Sequence, residues 1–226
     1  MGARAIPICG GHRNPPGQSL RWGEEPGSGQ TPRSGAVHRR APRHLGSRHG
    51  DALSLGPLYQ LLLLTGDRRG EWAAARWDWL DEAWTQLEIP AEHYKTGRSH
   101  IVPLGSTARR IVAGLPAPMA GPYLLSSDGG MTAIGGFSNA KKSIDDLAER
   151  YFGGPMQPWV THDLRRSMAT HMERLGVAPH VIEACLGHAL KGVAGTYRRY
   201  NFLREKLAAL QVWEDEVLVA AMHVAA

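Results

Sequence analysis

The run of four leucines from Leu61 to Leu64, stopped by Thr65-Gly66 and followed at once by Asp67-Arg68-Arg69, constrains this chain more than any other stretch. Four consecutive apolar residues call for an element buried on most of its surface. The glycine ends it, because Gly most readily takes the backbone conformations of a turn. An arginine just past such a stop starts inside the fold, and a buried guanidinium needs an anionic partner. The plain alternative is a helix-end arginine snorkelling into water. The rest of the sequence has to say which anion is meant.

Bulk charge does not say it. The 226 residues carry a formal +5, yet residues 1–50 alone hold eight Arg, no Lys and two Glu, a local +6. Residues 51–226 hold 18 basic and 19 acidic residues, a balance of −1. The basic character therefore belongs to the front of the chain. Residues 1–52 are rich in Gly, Pro and Arg without apolar periodicity, and such a composition does not offset its ordering entropy; a disordered segment is expected. Residues 53–226 read as one folded domain. The two cysteines, Cys9 and Cys185, form no disulfide or metal-ligand pattern, which fits a reducing compartment. No apolar run reaches the ~18–20 residues of a membrane span. A cytoplasmic protein is expected.

From Leu53 onward, "LSLGPLYQLLLLTG" predicts a helix with Pro57 in its first turn, and "EWAAARW" a second short one. "WDWLDEAWTQLEIP" and "EHYKTGRSHIVPL" alternate around turns near Asp81-Glu82 and Thr96-Gly97, predicting two or three antiparallel strands. Helices follow at "STARRIVAGL", capped by Ser106, at "GGFSNAKKSIDDLAERYF", at "THDLRRSMATHMERLG" and at "APHVIEACLGH". The stretch from Thr196 to about Val224 closes the chain as mostly helix. The fold class is α+β, mostly α-helical, with helices around a small antiparallel sheet.

Four polar clusters stand out in this domain. Arg68 is followed three residues on by Glu71; Lys95 sits at the lip of a β-turn; His162 and Arg165 share a helical face; His188 precedes Tyr197 by nine residues. Singly, each has an ordinary structural reading, and a metal held by His162, His171 and His188 has no supporting spacing. Jointly and in this order, "TGDRRGE", "YKTGRSHIVPL", "THDLRRSMAT", "LGH" and "GVAGTYRRY" resemble the motifs of the tyrosine recombinases, or phage-type integrases, over about Leu53 to Trp213.

That resemblance implies a catalytic domain that cleaves and rejoins double-stranded DNA through a 3′-phosphotyrosyl intermediate, as a homo-tetramer on DNA and a monomer when free, with no cofactor and no metal. Arg68 and Arg165 would clamp the non-bridging oxygens of the scissile phosphate, as forked donors matched to that anion. His162 would take the phenol proton or orient the phosphate, His188 would donate to a phosphate oxygen, Lys95 would protonate the leaving 5′ oxygen, and Glu71 would orient the cluster. Tyr197 would be the nucleophile, with Tyr200 as the alternative one turn away. Members of the family usually carry a separate DNA-clamping domain ahead of the catalytic one. Residues 1–52 have no such pattern, so a truncated or rearranged chain is expected. Two alternatives therefore stand beside the recombinase: a non-catalytic DNA-binding remnant, and a type IB topoisomerase-like nicking and closing enzyme.

Overall fold

The computed structural model describes residues 52–188 and 200–225, with side chains from 55 to 188 and from 200 to 224. The segment 1–51 and Tyr197 lie outside the described residues. Helix α1 (Ala52–Thr65) carries the leucine run. Leu58, Leu61, Leu62 and Leu64 are all buried, and the helix packs against several of the elements described below. An all-round apolar helix has no other stable place than the centre. Because the helix starts at Ala52, Pro57 stands one turn further in than expected. The stop is as predicted: Gly66 adopts φ +67° and its N–H donates to Leu62 O at 3.0 Å. A side chain at Gly66 would also collide with Met168.

Helix α2 (Arg69–Ala73) is a single short turn, ending before the predicted "AARW". Strands β1 (Gln86–Ile89) and β2 (His100–Pro103) form a two-stranded antiparallel sheet in the register Leu87↔Val102 and Ile89↔His100. Leu87, Ile89 and Val102 are buried on one face, and the same alternation turns His100 inward with them. The third expected strand is reduced to an isolated bridge between Leu80 and Leu87. The turn ahead of β1 is closed by the Asp81 carboxylate, which accepts from Thr85 N, Thr85 Oγ1 and Gln86 N.

The remaining helices are α3 (Ser106–Ala113), α4 (Phe137–Phe152), α5 (Thr161–Arg174), α6 (Pro179–Cys185) and α7 (Leu203–Ala225). Among the described residues none is long and apolar enough to cross a membrane. Two apolar clusters result. One surrounds α1, the sheet and α3; the other joins Met168 and Met172 of α5, Val181 and Ile182 of α6, and Leu210 and Trp213 of α7. The fold is thus mostly helical with one small antiparallel sheet.

Helix α3 departs from its expected start. Gly105 occupies the cap position and Ser106 is the first helical residue. The cap comes from far along the chain: Ser106 Oγ and Thr107 N both donate to Glu214 Oε1 of α7, at 2.6 and 2.8 Å. A carboxylate suits this place because the free N–H groups of a helix N-terminus carry partial positive charge. Trp213 Nε1 adds a bond to Leu63 O at 2.8 Å, so adjacent residues of α7 bind both α3 and α1. Glu214→Ala removes the acceptor of the Ser106 hydroxyl and of the Thr107 N–H, and should lower the unfolding free energy by roughly 1 kcal/mol in urea titrations.

Candidate active site

The backbone of Arg68 caps α2, with φ −78° and ψ 144°. Glu71, in the first turn, reaches back with both oxygens: Arg68 N donates to Oε2 at 2.8 Å and Arg68 Nη1 to Oε1 at 2.6 Å. Arg68 Nη1 also donates to the Tyr94 hydroxyl at 3.1 Å. The Arg68-Glu71 spacing seen in the sequence is thus half of a capping box, in which Glu71 accepts from the Arg68 N–H and also orients the guanidinium. Burial draws the Arg68 pKa down, but the bonds and charge of Glu71 outweigh it and the net direction is up.

Arg165 lies on the inward face of α5 with 4% of its surface exposed. Its Nη1 donates to Gly66 O at 2.7 Å, and its Nη2 donates to Leu186 O and lies 3.0 Å from His188 Nε2. Burial pushes its pKa below the usual guanidinium value; the charge of Asp67 opposes that and Arg68 adds to it. His188 Nδ1 meets Glu183 Oε2 at 2.6 Å. With a carboxylate at Nδ1 and a guanidinium at Nε2, the tautomer that satisfies both is the one protonated on Nδ1.

Behind the arginines sits Asp67, whose Oδ1 is 3.1 Å from His100 Nε2 and whose Oδ2 is buried without a hydrogen-bond partner. His100 stacks on Tyr94 with ring centroids 4.7 Å apart. Burial pushes the Tyr94 phenol up to about 12, and the charges of Glu71 and Asp67 act in the same direction. Asp67, Tyr94, His100 and Glu183 were not singled out from the sequence. Two signals were available: a charged residue between a turn glycine and an arginine, and a histidine in phase with the buried positions of β2.

Arg68, His162 and Arg165 line one cleft of about 540 Å³, together with Arg69, Lys141 and Trp159. Among the described residues Asp67 is the one carboxylate in its wall, so the cleft suits an anion. Lys141 is paired to Asp145 at 2.6 Å and lies over the Trp159 ring. Of the other expected residues, Glu71 holds Arg68 and His188 touches Arg165. Lys95 is exposed on the turn between the strands and does not line the cleft. His171 packs against Trp213 instead of joining His162. Tyr200 is exposed, and its hydroxyl donates to Glu205, which raises its pKa. Among the described residues no three His, Cys, Asp or Glu side chains converge on a metal position.

No protein-family profile matches the chain. Over 176 residues it is 31% identical to prophage integrase IntA of Escherichia coli strain K12, covering 75% of this chain and 40% of that protein. It is 26% identical over 160 residues to prophage integrase IntZ of the same organism, covering 70% of this chain and 38% of that one. The chain thus spans about 40% of the length of these relatives. A crystal structure of XerA recombinase is similar at 20% identity with a TM-score of 0.44, covering 78% of this chain and 66% of that one.

The two arginines differ in what depends on them. Arg165→Ala leaves two carbonyls of separate segments without their donor and should cost about 2–4 kcal/mol of stability. Arg68→Ala removes a side chain that is 28% exposed while Glu71 keeps its backbone bond, and should cost about 1 kcal/mol. Urea unfolding of the two variants side by side measures the difference.

Proposed function

We propose a function from one premise: this chain belongs to the tyrosine recombinase and phage integrase family. Its role is site-specific DNA recombination and integration, by cleaving and rejoining double-stranded DNA through a 3′-phosphotyrosyl intermediate. The observation that carries this reading is that Arg68 and the distant His162–Arg165 pair of α5 line one cleft, together with Arg69 and Lys141.

In this mechanism the scissile phosphate enters the cleft and its non-bridging oxygens are held by Arg68 and Arg165. The Tyr197 oxygen attacks phosphorus while the bond to the 5′ oxygen breaks. A phenol of ordinary pKa lies about 4 kcal/mol from its anion at pH 7, so removal of its proton has to be assisted; in this reading His162, which lines the cleft, takes it. The clamped phosphate presents charge that grows toward the transition state, and fixed guanidiniums stabilise it without reorganising. The leaving 5′ oxygen takes a proton from Lys95, whose turn has to swing toward the cleft on DNA binding. His188, with Nδ1 on Glu183 and Nε2 accepting from Arg165, steadies the Arg165 guanidinium and has no N–H left for the phosphate. One phosphate ester replaces another, and reversal by the 5′ hydroxyl of a second strand completes the transfer. On DNA the working unit is a homo-tetramer.

Tyr197 is preferred to Tyr200 as nucleophile because of its nine-residue step from His188 and because the Tyr200 hydroxyl is engaged by Glu205. A carboxylate acceptor makes a phenol harder to ionise, the opposite of what attack on phosphorus needs.

A nicked suicide duplex carrying the attachment sequence that flanks the gene tests the reading. Wild type and Tyr200→Phe should form a covalent protein–DNA adduct; Tyr197→Phe should form none, with DNA affinity unchanged within about twofold. Absence of an adduct in the wild type would favour the non-catalytic remnant, and cleavage without strand exchange between two sites the topoisomerase-like activity. For the proposed acid, Lys95→Ala should lose about 100-fold or more in cleavage rate. It should recover most of that on a duplex whose leaving group is a 5′-bridging thiol, which departs without a proton.

A further inference from the structure

Tyr94 lies beside the expected acid Lys95 in sequence, but its contacts belong to the other side of the site. With 5% of its surface exposed, it is buried at the junction of the turn before β2, the loop that carries Arg68 and the end of α6. Its hydroxyl is fully used, accepting from Arg68 Nη1 at 3.1 Å and donating to Gly187 O at 3.1 Å. Gly187, next to His188, adopts φ +59°, and a Cβ at that position would overlap the Tyr94 hydroxyl. The glycine thus serves twice, in its backbone conformation and in letting the phenol reach its carbonyl.

The ring is held as firmly as the hydroxyl. It stacks on His100, with an interplanar angle of 25°, and His100 is fixed in turn by Asp67, the residue before Arg68. The Arg68 guanidinium carbon lies 5.5 Å from the centre of the Tyr94 ring. A phenol raised to about 12 keeps its proton throughout the neutral range, so the same oxygen donates and accepts at once.

We infer that Tyr94 is a positioning residue of the phosphate clamp, setting the distance between the Arg68 guanidinium and the Gly187–His188 turn that lies against Arg165. This rests on the strand-transfer reading above. A guanidinium tied only to Glu71 can pivot about that contact. A second bond to a hydroxyl that is itself anchored across the site removes the freedom. Misplacement of a binding group by about 1 Å is worth on the order of 100-fold in rate.

Tyr94→Phe keeps the ring and the stack on His100 and removes both hydroxyl bonds. On the suicide duplex it should slow adduct formation about 10- to 100-fold, with DNA affinity unchanged within about twofold. A purely structural defect would slow every substrate alike. A clamp defect should shrink to less than about threefold on a duplex with a methylphosphonate at the scissile position, because one non-bridging charge is then absent. It should persist on the 5′-bridging thiol duplex. Rescue by the thiol instead would place Tyr94 in the service of Lys95 and overturn the inference, as would a wild-type rate on the ordinary duplex. The DNA-free protein gives an independent reading through the Nε–Hε NMR signal of Arg68, assigned by its loss in Arg68→Lys. Its side-chain motion should increase in Tyr94→Phe, and unchanged motion counts against the role. If the wild type forms no adduct at all, the strand-transfer reading fails and this signal alone decides the role of Tyr94.

Discussion

The Arg165 guanidinium is the contact on which the geometry of the site depends. Its two terminal nitrogens bond the carbonyls of Gly66, at the end of α1, and Leu186, at the end of α6. These ends belong to the margins of the two apolar clusters, with Leu164 packed on one cluster and Met168 buried in the other. A planar fork with fixed donor directions can span two such carbonyls at once, which an ammonium on a flexible stem does less well. The bonds also fix the side chain before any ligand arrives. In the proposed mechanism this matters, because a group that stabilises developing charge works best when it needs no reorganisation.

The charge balance around this contact is local. Arg68 and Arg165 repel each other, and two carboxylates offset that repulsion from behind: Glu71 on Arg68 and Asp67 near Arg165. The carboxylates of Glu71 and Asp67 are themselves buried and kept by specific partners, apart from Asp67 Oδ2. Removing one member of such a set leaves an uncompensated buried charge, which costs more than the pair contributes. Apart from Asp67, the charged side chains that line the cleft among the described residues are cations, so the cleft favours an anion.

A two-stranded sheet is a small device, yet it fixes one side of the arrangement. Its period of two sends His100 inward beside Val102, and the ring then carries Tyr94 above it and Asp67 at its edge. The turn between the strands thereby has a buried base and an exposed tip. Tyr94 belongs to the base and Lys95 to the tip. A buried and an exposed side chain are thus separated by one peptide bond.

Much was legible in the amino-acid order alone, because it depends on neighbours within one turn of helix or one strand. The leucine run implied a buried central helix, the glycine its end, the alternation around Lys95 a hairpin, and Arg68 with Glu71 a local pair; each rests on periodicity or on reach over three or four residues. The tertiary structure decided what lies across sequence distance. Ser106 looked like a cap until Glu214, far along the chain, took that role, since a carboxylate on a packed helix meets the N-terminal N–H groups more favourably than a hydroxyl already turned toward it. Likewise Asp67, Tyr94 and His100 looked like ordinary loop and strand residues. Only the packing of the hairpin against the end of α6 brought them together behind Arg68. Local order follows from short-range sterics, whereas a shared site follows from which apolar faces bury one another.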